Sequence, residues 1–249
     1  MVTIMAILPS PANEITPHIL FISDLHLTAN EPLITQHFFY FLEHIAPHAE
    51  ALYILGDFFE SYIGDDDPDP FIPTIITALK KASDAGLPIF FMPGNRDFLL
   101  GKRFAKQAGI QRIPDPFVTS LYGKSTLLMH GDFLCIDDKG HQRFRRITGN
   151  KLLQALFLLL PISFRQKFAR QLRDESQQYN QVKSAEIMDV NENAVNQAIE
   201  KNHAILLIHG HTHKPMITEK RIVLGAWHEK GNYLRVDSAG KIEWVEFEC

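Results

Sequence analysis

Residues 89–101 read IFFMPGNRDFLLG: an apolar run, a Pro-Gly break, then Asn95-Arg96-Asp97 before the chain turns apolar again. A buried strand closing in a tight turn looks like this, because Pro, Gly, Asn and Asp are turn residues and Arg96 could simply be solvated. The same stretch also reads as a core strand that delivers three polar side chains to its end. The rest of the chain separates the two readings. Apolar runs of strand length recur at HILFISD (18–24), ALYILGD (51–57), STLLMHGD (125–132) and AILLIHGHTH (204–213). They are nearly continuous in apolar character, as strands covered on both faces are. Helix-like segments at about 32–48, 70–86 and 98–109 alternate with the first three strands, which implies an α/β fold with a partly parallel sheet. The tail, with IVLGAW (222–227), YLRVDS (233–238) and KIEWVEFE (241–248), reads as an antiparallel meander turning at Gly231 and Gly240.

What ends each run matters most. The five strands close on Asp24-Leu25-His26, Gly56-Asp57, Gly94-Asn95-Arg96-Asp97, His130-Gly131-Asp132 and Gly210-His211-Thr212-His213. Singly, each is an ordinary helix cap or turn. Together they bring Asp, Asn and His to the carboxyl ends of core strands, the edge of an α/β sheet where ligands bind. Asp24, His26, Asp57, Asn95, His130, His211 and His213 are too many ligands for one transition metal. They suit two metals sharing a bridging carboxylate, the arrangement used for in-line displacement at phosphorus. Nitrogen and oxygen donors without sulfur fit Mn²⁺, Fe or Zn²⁺ better than Mg²⁺ or Ca²⁺.

Size and composition allow this. The 249 residues suit one large domain, or one domain with an insertion. The net charge of -4 argues against a general affinity for nucleic acid. Cys135 and Cys249 are too few for a disulfide framework or a thiolate metal site, which is compatible with a reducing cytosol. MVTIMAILPSP at the start has no basic region or small-residue cleavage pattern and reads as a short extension rather than a signal peptide. No run of about 18 apolar residues occurs to span a membrane.

The blocks D24-L-H26, G56-D57-F-F-E60, G94-N95-R96-D97, H130-G131-D132 and G210-H211-T212-H213 resemble, in order, those of the calcineurin-like metallophosphoesterases. That resemblance implies an α/β/β/α four-layer sandwich with a dinuclear site. By the same resemblance Asp24, His26, Asp57 and His213 hold one metal, and Asp57, Asn95, His130 and His211 the other. One position departs from the commoner family pattern, where His follows the Asn of the third block: here it is Arg96. An arginine cannot donate a proton to an alkoxide at neutral pH. It suits a leaving group that is itself a phosphate, whose second pKa of about 6 lets it depart unprotonated. Diphosphate cleavage is therefore the expected reaction, with Arg96 and Asp97 as the catalytic pair and Asp97 as the partner that orients a ligand or the arginine.

Between His130 and His211 lies a long insertion. Leu152, Leu153, Leu156, Phe157, Leu159 and Leu160 form an apolar helical surface broken by Pro161, flanked by Arg143, Arg145, Arg146, Lys151, Arg165, Lys167, Arg170 and Arg173. A helical hairpin with solvated cations explains it plainly; a cap that takes acyl chains and meets anionic lipid heads is the functional alternative. On the next helix Ser176, Asn180 and Lys183 share one face, either a solvated stripe or contacts for a sugar phosphate. With Arg96 and FLCIDD (133–138), the chain resembles the branch of the family that cleaves an acylated UDP-glucosamine in lipid A synthesis, giving UMP and the diacylated sugar 1-phosphate. In that branch a metal-activated water attacks the α-phosphorus. The resemblance implies two Mn²⁺ per chain and substrate contacts at Asn95, Arg96, Asp138, Ser176, Asn180, Lys183 and His211. It implies a core of residues 15–134 and 204–249 with a helical cap at 135–203. A monomer bound peripherally to the cytoplasmic face of a Gram-negative inner membrane is expected. The rivals are a same-fold enzyme for a soluble phosphoester or nucleotide, and a non-catalytic scaffold that kept the fold.

Overall fold

The computed structural model describes residues 16–182 and 189–249, with side chains in the segment 174–182 left out. Two sheets form its centre. The first runs β11-β10-β1-β2-β3-β4, with β1 His18–Ile22, β2 Ala51–Leu55, β3 Ile89–Met92 and β4 Gln111–Arg112 parallel, and β10 Gly231–Asp237 and β11 Ile242–Phe247 antiparallel at one side. The second runs β5-β6-β7-β9-β8: β5 Phe117–Leu121, β6 Lys124–Met129, β7 Leu206–His209, β8 Met216–Ile217 and β9 Arg221–Val223.

The unbroken apolar character of β1–β3 now has a cause. Alternate side chains serve two cores. Leu20, Ile22, Leu52, Ile54, Ile89 and Phe91 pack in one cluster with α1 Pro32–Tyr40, α2 Phe71–Asp84 and α3 Lys102–Ala108. Phe21, Tyr53, Leu55 and Met92 point the other way, between the sheets, to meet Leu128, Leu206, Ile208 and Ile222. A third cluster joins Leu127, Met129 and Leu207 of the second sheet to Val195 of α7 Glu192–Lys201. Helices, sheet, sheet and helix make the expected α/β/β/α sandwich.

One detail differs from the sequence reading. The tail is not a three-strand meander: β9 pairs parallel with β7 in the second sheet, while β10 and β11 form a hairpin on the first. The turn at Gly240 is present, with φ +83°, whereas Gly231 begins a strand. An apolar three-residue strand reads alike in either sheet, so only tertiary pairing could assign it.

The insertion supplies α4 Lys139–Thr148, α5 Lys151–Leu158 and α6 Ile162–Val182. No described helix is long and apolar enough to cross a membrane. Leu152, Leu153, Leu156, Leu159 and Phe164 are exposed, Leu159 by 81%. Three of the cations expected to flank this surface instead tie it to the core. Arg165 is only 1% exposed; its guanidinium donates to both oxygens of Asp66 and to the Ile63 carbonyl, and its Nε to the Leu160 carbonyl. Arg145 donates to Asp132 at 2.6 Å, and Arg173 lies 3.0 Å from Glu60. Composition cannot tell a solvated guanidinium from a buried one. Arg165→Met is expected to lower stability by about 2 kcal/mol, measured by urea unfolding, because it strands the buried Ile63 carbonyl and leaves Asp66 unpaired.

Candidate metal centre

The site is built where strands of both sheets end. After β1 come Asp24 and His26, after β2 Asp57, and after β7 His211 and His213. All five adopt left-handed backbone, with φ between +49° and +71°. Only Tyr122 and His203 do so elsewhere among the described non-glycine residues. Such a conformation costs about 1–2 kcal/mol per L-residue and persists only where its surroundings impose it. Here it turns successive side chains back over the strand ends. Glycines make room for them: a Cβ at Gly94 would run into Asp57 Oδ1 and its amide, and one at Gly210 into Asp24 Oδ2. Glycine is thus required in these blocks by close approach.

Two groups of donor atoms converge among the described residues, one from Asp24, His26 and His213, the other from Asp57, His130 and His211. In the first, His26 Nε2 faces His213 Nε2 at 3.3 Å, and Asp24 Oδ1 lies 3.4 Å from His213 Nε2. Asp24 Oδ2 accepts from Ser23 Oγ at 2.6 Å and from the His211 amide at 2.9 Å. Its Oδ1 is buried without a hydrogen bond. In the second, Asn95 Oδ1 stands 2.9 Å from His130 Nε2 and 3.1 Å from His211 Nδ1. His130 Nδ1 donates to the Leu55 carbonyl at 2.9 Å, which turns Nε2 toward the cleft. Ligands about 2.1 Å from an ion lie about 3 Å from one another, and these spacings match. Facing imidazole nitrogens beside an orphaned carboxylate oxygen fit divalent cations. The seven residues expected as ligands are all brought to this cleft.

Burial and neighbouring charge together set the protonation of these groups. Burial opposes the Asp24 charge, but the close approach of His213, with the charges of His130 and His26, holds it below the usual carboxylate range. Burial likewise opposes a charged His130, yet Asp57, Asp132 and Asp24 raise it to about 9. His211 falls to about 3 through burial and the neighbouring His130 charge. A cation must bind neutral imidazole, so below about pH 9 it displaces a proton from His130. Apparent cation affinity is therefore expected to rise up to about tenfold per pH unit from 7 to 9. Calorimetry in buffers of different ionisation enthalpy would register the proton released.

The other expected residues fall in different places. Arg96 sits beside the cleft, its amide donating to Asp57 Oδ1 at 2.9 Å, its Nε 3.7 Å from Asp57 Oδ2 and its Nη1 bonded to Glu60. Asp97, expected beside Arg96 in the catalytic pair, lies beneath the cleft. It is fully buried and spends Oδ1 on the Gly94 amide and Oδ2 on those of Phe58 and Phe59, which clamps two ligand-bearing loops together. Burial and the Asp57 charge raise it to about 6. Asp138 caps α4, accepting from the His141 amide at 2.9 Å. Ser176 and Asn180 lie on α6 with side chains outside the description, and Lys183 lies outside the described residues.

Other neighbours of the cleft carried little signal in sequence. Glu60, the last residue of the second block, lies 3.2 Å from His26 Nδ1. His141 packs its ring 5.2 Å from that of His211 and places Nε2 3.8 Å from Asp132. His228 meets the ring of His213 at 6.3 Å.

A family model described as calcineurin-like phosphoesterase matches residues 17–215. The chain is 51% identical over 236 residues to a Serratia proteamaculans protein named UDP-2,3-diacylglucosamine hydrolase, covering 92% of this chain and 98% of that one. Proteins of the same name from Yersinia enterocolitica and Pectobacterium carotovorum are 49% and 50% identical with the same coverage.

Proposed function

This chain belongs to the calcineurin-like phosphoesterase family, and on that premise we propose that it hydrolyses the diphosphate bond of UDP-2,3-diacylglucosamine. The products are UMP and 2,3-diacylglucosamine 1-phosphate, in lipid A biosynthesis. The name shared by relatives of about half-identical sequence supports the substrate. Arg96 beside Asp57 is the observation that carries the reaction type. A guanidinium at that position stabilises a departing phosphate that needs no proton.

Asp24, His26, Asp57 and His213 would hold one cation, and Asp57, Asn95, His130 and His211 the other; we assign both as Mn²⁺, one of the metals that mixed nitrogen and oxygen donors fit and the one the family resemblance implies. When bound, such a pair neutralises phosphate charge and lowers the pKa of water in the cleft. The protein's own groups do the rest. Asp97 and the glycines hold the loops, His130 is fixed by the Leu55 carbonyl, and Arg96 balances charge on the sugar 1-phosphate as the bond to the UMP phosphorus breaks. Asn95, Arg96, Asp138, Ser176, Asn180, Lys183 and His211 are the proposed substrate contacts.

The chain divides into a core, 15–134 and 204–249, and an inserted segment, 135–203. Within the latter α4–α6 form the cap, while α7 packs on the second sheet. The exposed leucines and phenylalanines of α5 and α6 give the acyl chains an apolar partner and let the cap rest on a membrane surface. We place the protein, as a monomer, on the cytoplasmic face of the inner membrane, without a nucleic-acid partner.

Hydrolysis of micellar UDP-2,3-diacylglucosamine in ¹⁸O-labelled water, followed by mass spectrometry, tests the reading. Label in UMP supports it. Inactivity on this lipid, with turnover of a soluble phosphomonoester, would replace it.

A further inference from the structure

Two arginines of α6, about 12 Å apart along its axis, reach the core. Arg165 is the buried anchor described above. Arg173 is different: its side chain is 40% exposed and its Nη2 lies 3.0 Å from Glu60 Oε1. The same oxygen takes Nη1 of Arg96, while Oε2 stands 3.2 Å from His26 Nδ1. One carboxylate, 11% exposed, therefore touches an imidazole of the metal cluster, the arginine that meets the leaving phosphate, and the cap.

Among the described residues, the core side of α6 near Arg173 faces open space. A cavity of about 310 Å³ separates it from the core, lined by Leu27, Phe59, Phe71, Gln166 and Arg170 with Glu60 and Arg173 at its wall. Across such a gap, a polar tie bears on how the helix is seated. We propose that Glu60 is a positioning residue that sets the His26 ring, the Arg96 guanidinium and the cap helix α6 together, so that the seating of the cap and the geometry of the metal cleft are coupled through one side chain. A carboxylate that only neutralised nearby arginines would leave these three independent. The role of Arg96 rests on the proposed function, but the coupling of cap and cleft does not.

The test needs no substrate. In the full-length protein, Mn²⁺ titration and amide hydrogen exchange of residues 162–173 are measured for Glu60→Gln, Arg173→Met and the double variant. Arg173→Met is expected to speed exchange in that segment about threefold and, because coupling is reciprocal, to weaken Mn²⁺ by a similar factor of about three; Mn²⁺ affinity unchanged in this variant would break the coupling. Glu60→Gln is expected to speed the same amides equally and to weaken Mn²⁺ about 10- to 100-fold, as loss of a residue orienting a ligand does. The double variant should exchange no faster than Glu60→Gln alone, with β1 and β2 protection unchanged in all three. Unchanged exchange or unchanged Mn²⁺ affinity in Glu60→Gln would overturn the proposal. So would exchange effects that multiply in the double variant, since the two residues would then act separately.

Discussion

Asp57→Asn is expected to lower kcat/KM on UDP-2,3-diacylglucosamine by about 10³-fold or more, equivalent to about 4 kcal/mol of transition-state stabilisation. Asp57 follows β2 with φ +49°, a conformation asparagine tolerates, so the fold should survive the change. What is lost is the charge. Asp57 shares one donor group with His130 and His211 and is the carboxylate both cations would share. Without it His130 and Asn95 keep their places but the second cation loses its anionic ligand. Metal analysis of the purified variant should show fewer than two ions per chain, while its thermal unfolding stays close to that of the parent. Retention of both ions with full activity would remove Asp57 from the centre.

Arg96→Met should cost about 10²- to 10³-fold in kcat, the usual effect of removing one group that stabilises developing charge. Here two bound metals should remain, because Arg96 is not among the converging donors. The effect should depend on the leaving group. With the p-nitrophenyl ester of UMP, whose phenolate departs without help from a cation, the loss should shrink to a few-fold. Arg96→His should not restore diphosphate cleavage, since an imidazole offers a proton the leaving phosphate does not need. Equal losses on both substrates would show that Arg96 binds the nucleotide half instead.

Much of the fold could be read from the chain because its strands are unusually explicit. Phe21 and Tyr53 face one core, Leu20 and Leu52 the other, so each strand is apolar throughout and stops where the ligands begin. The ligands themselves were legible by type and order. Their left-handed backbone was not, since Asp and His adopt it more often than most residues but still in a minority of positions. The missing parts share a physical cause. Strands β4 and β8 are two residues long, and β9 took its sheet from tertiary pairing. Asp97 was legible as part of a functional block, but not that its oxygens accept from three backbone amides of two loops. Arg165 looked like any surface cation until the structure buried it against Asp66. Glu60 was visible as a motif residue, but a linear pattern cannot show that it reaches from His26 to Arg173 on a helix more than a hundred residues later.

The most direct test of the account is anomalous diffraction from crystals grown with Mn²⁺. Two peaks are expected about 3.5–4 Å apart. One should lie among Asp24, His26 and His213, the other among Asn95, His130 and His211, with Asp57 touching both. A single peak, or ions bound away from these residues, would contradict the dinuclear centre on which the proposed hydrolysis depends.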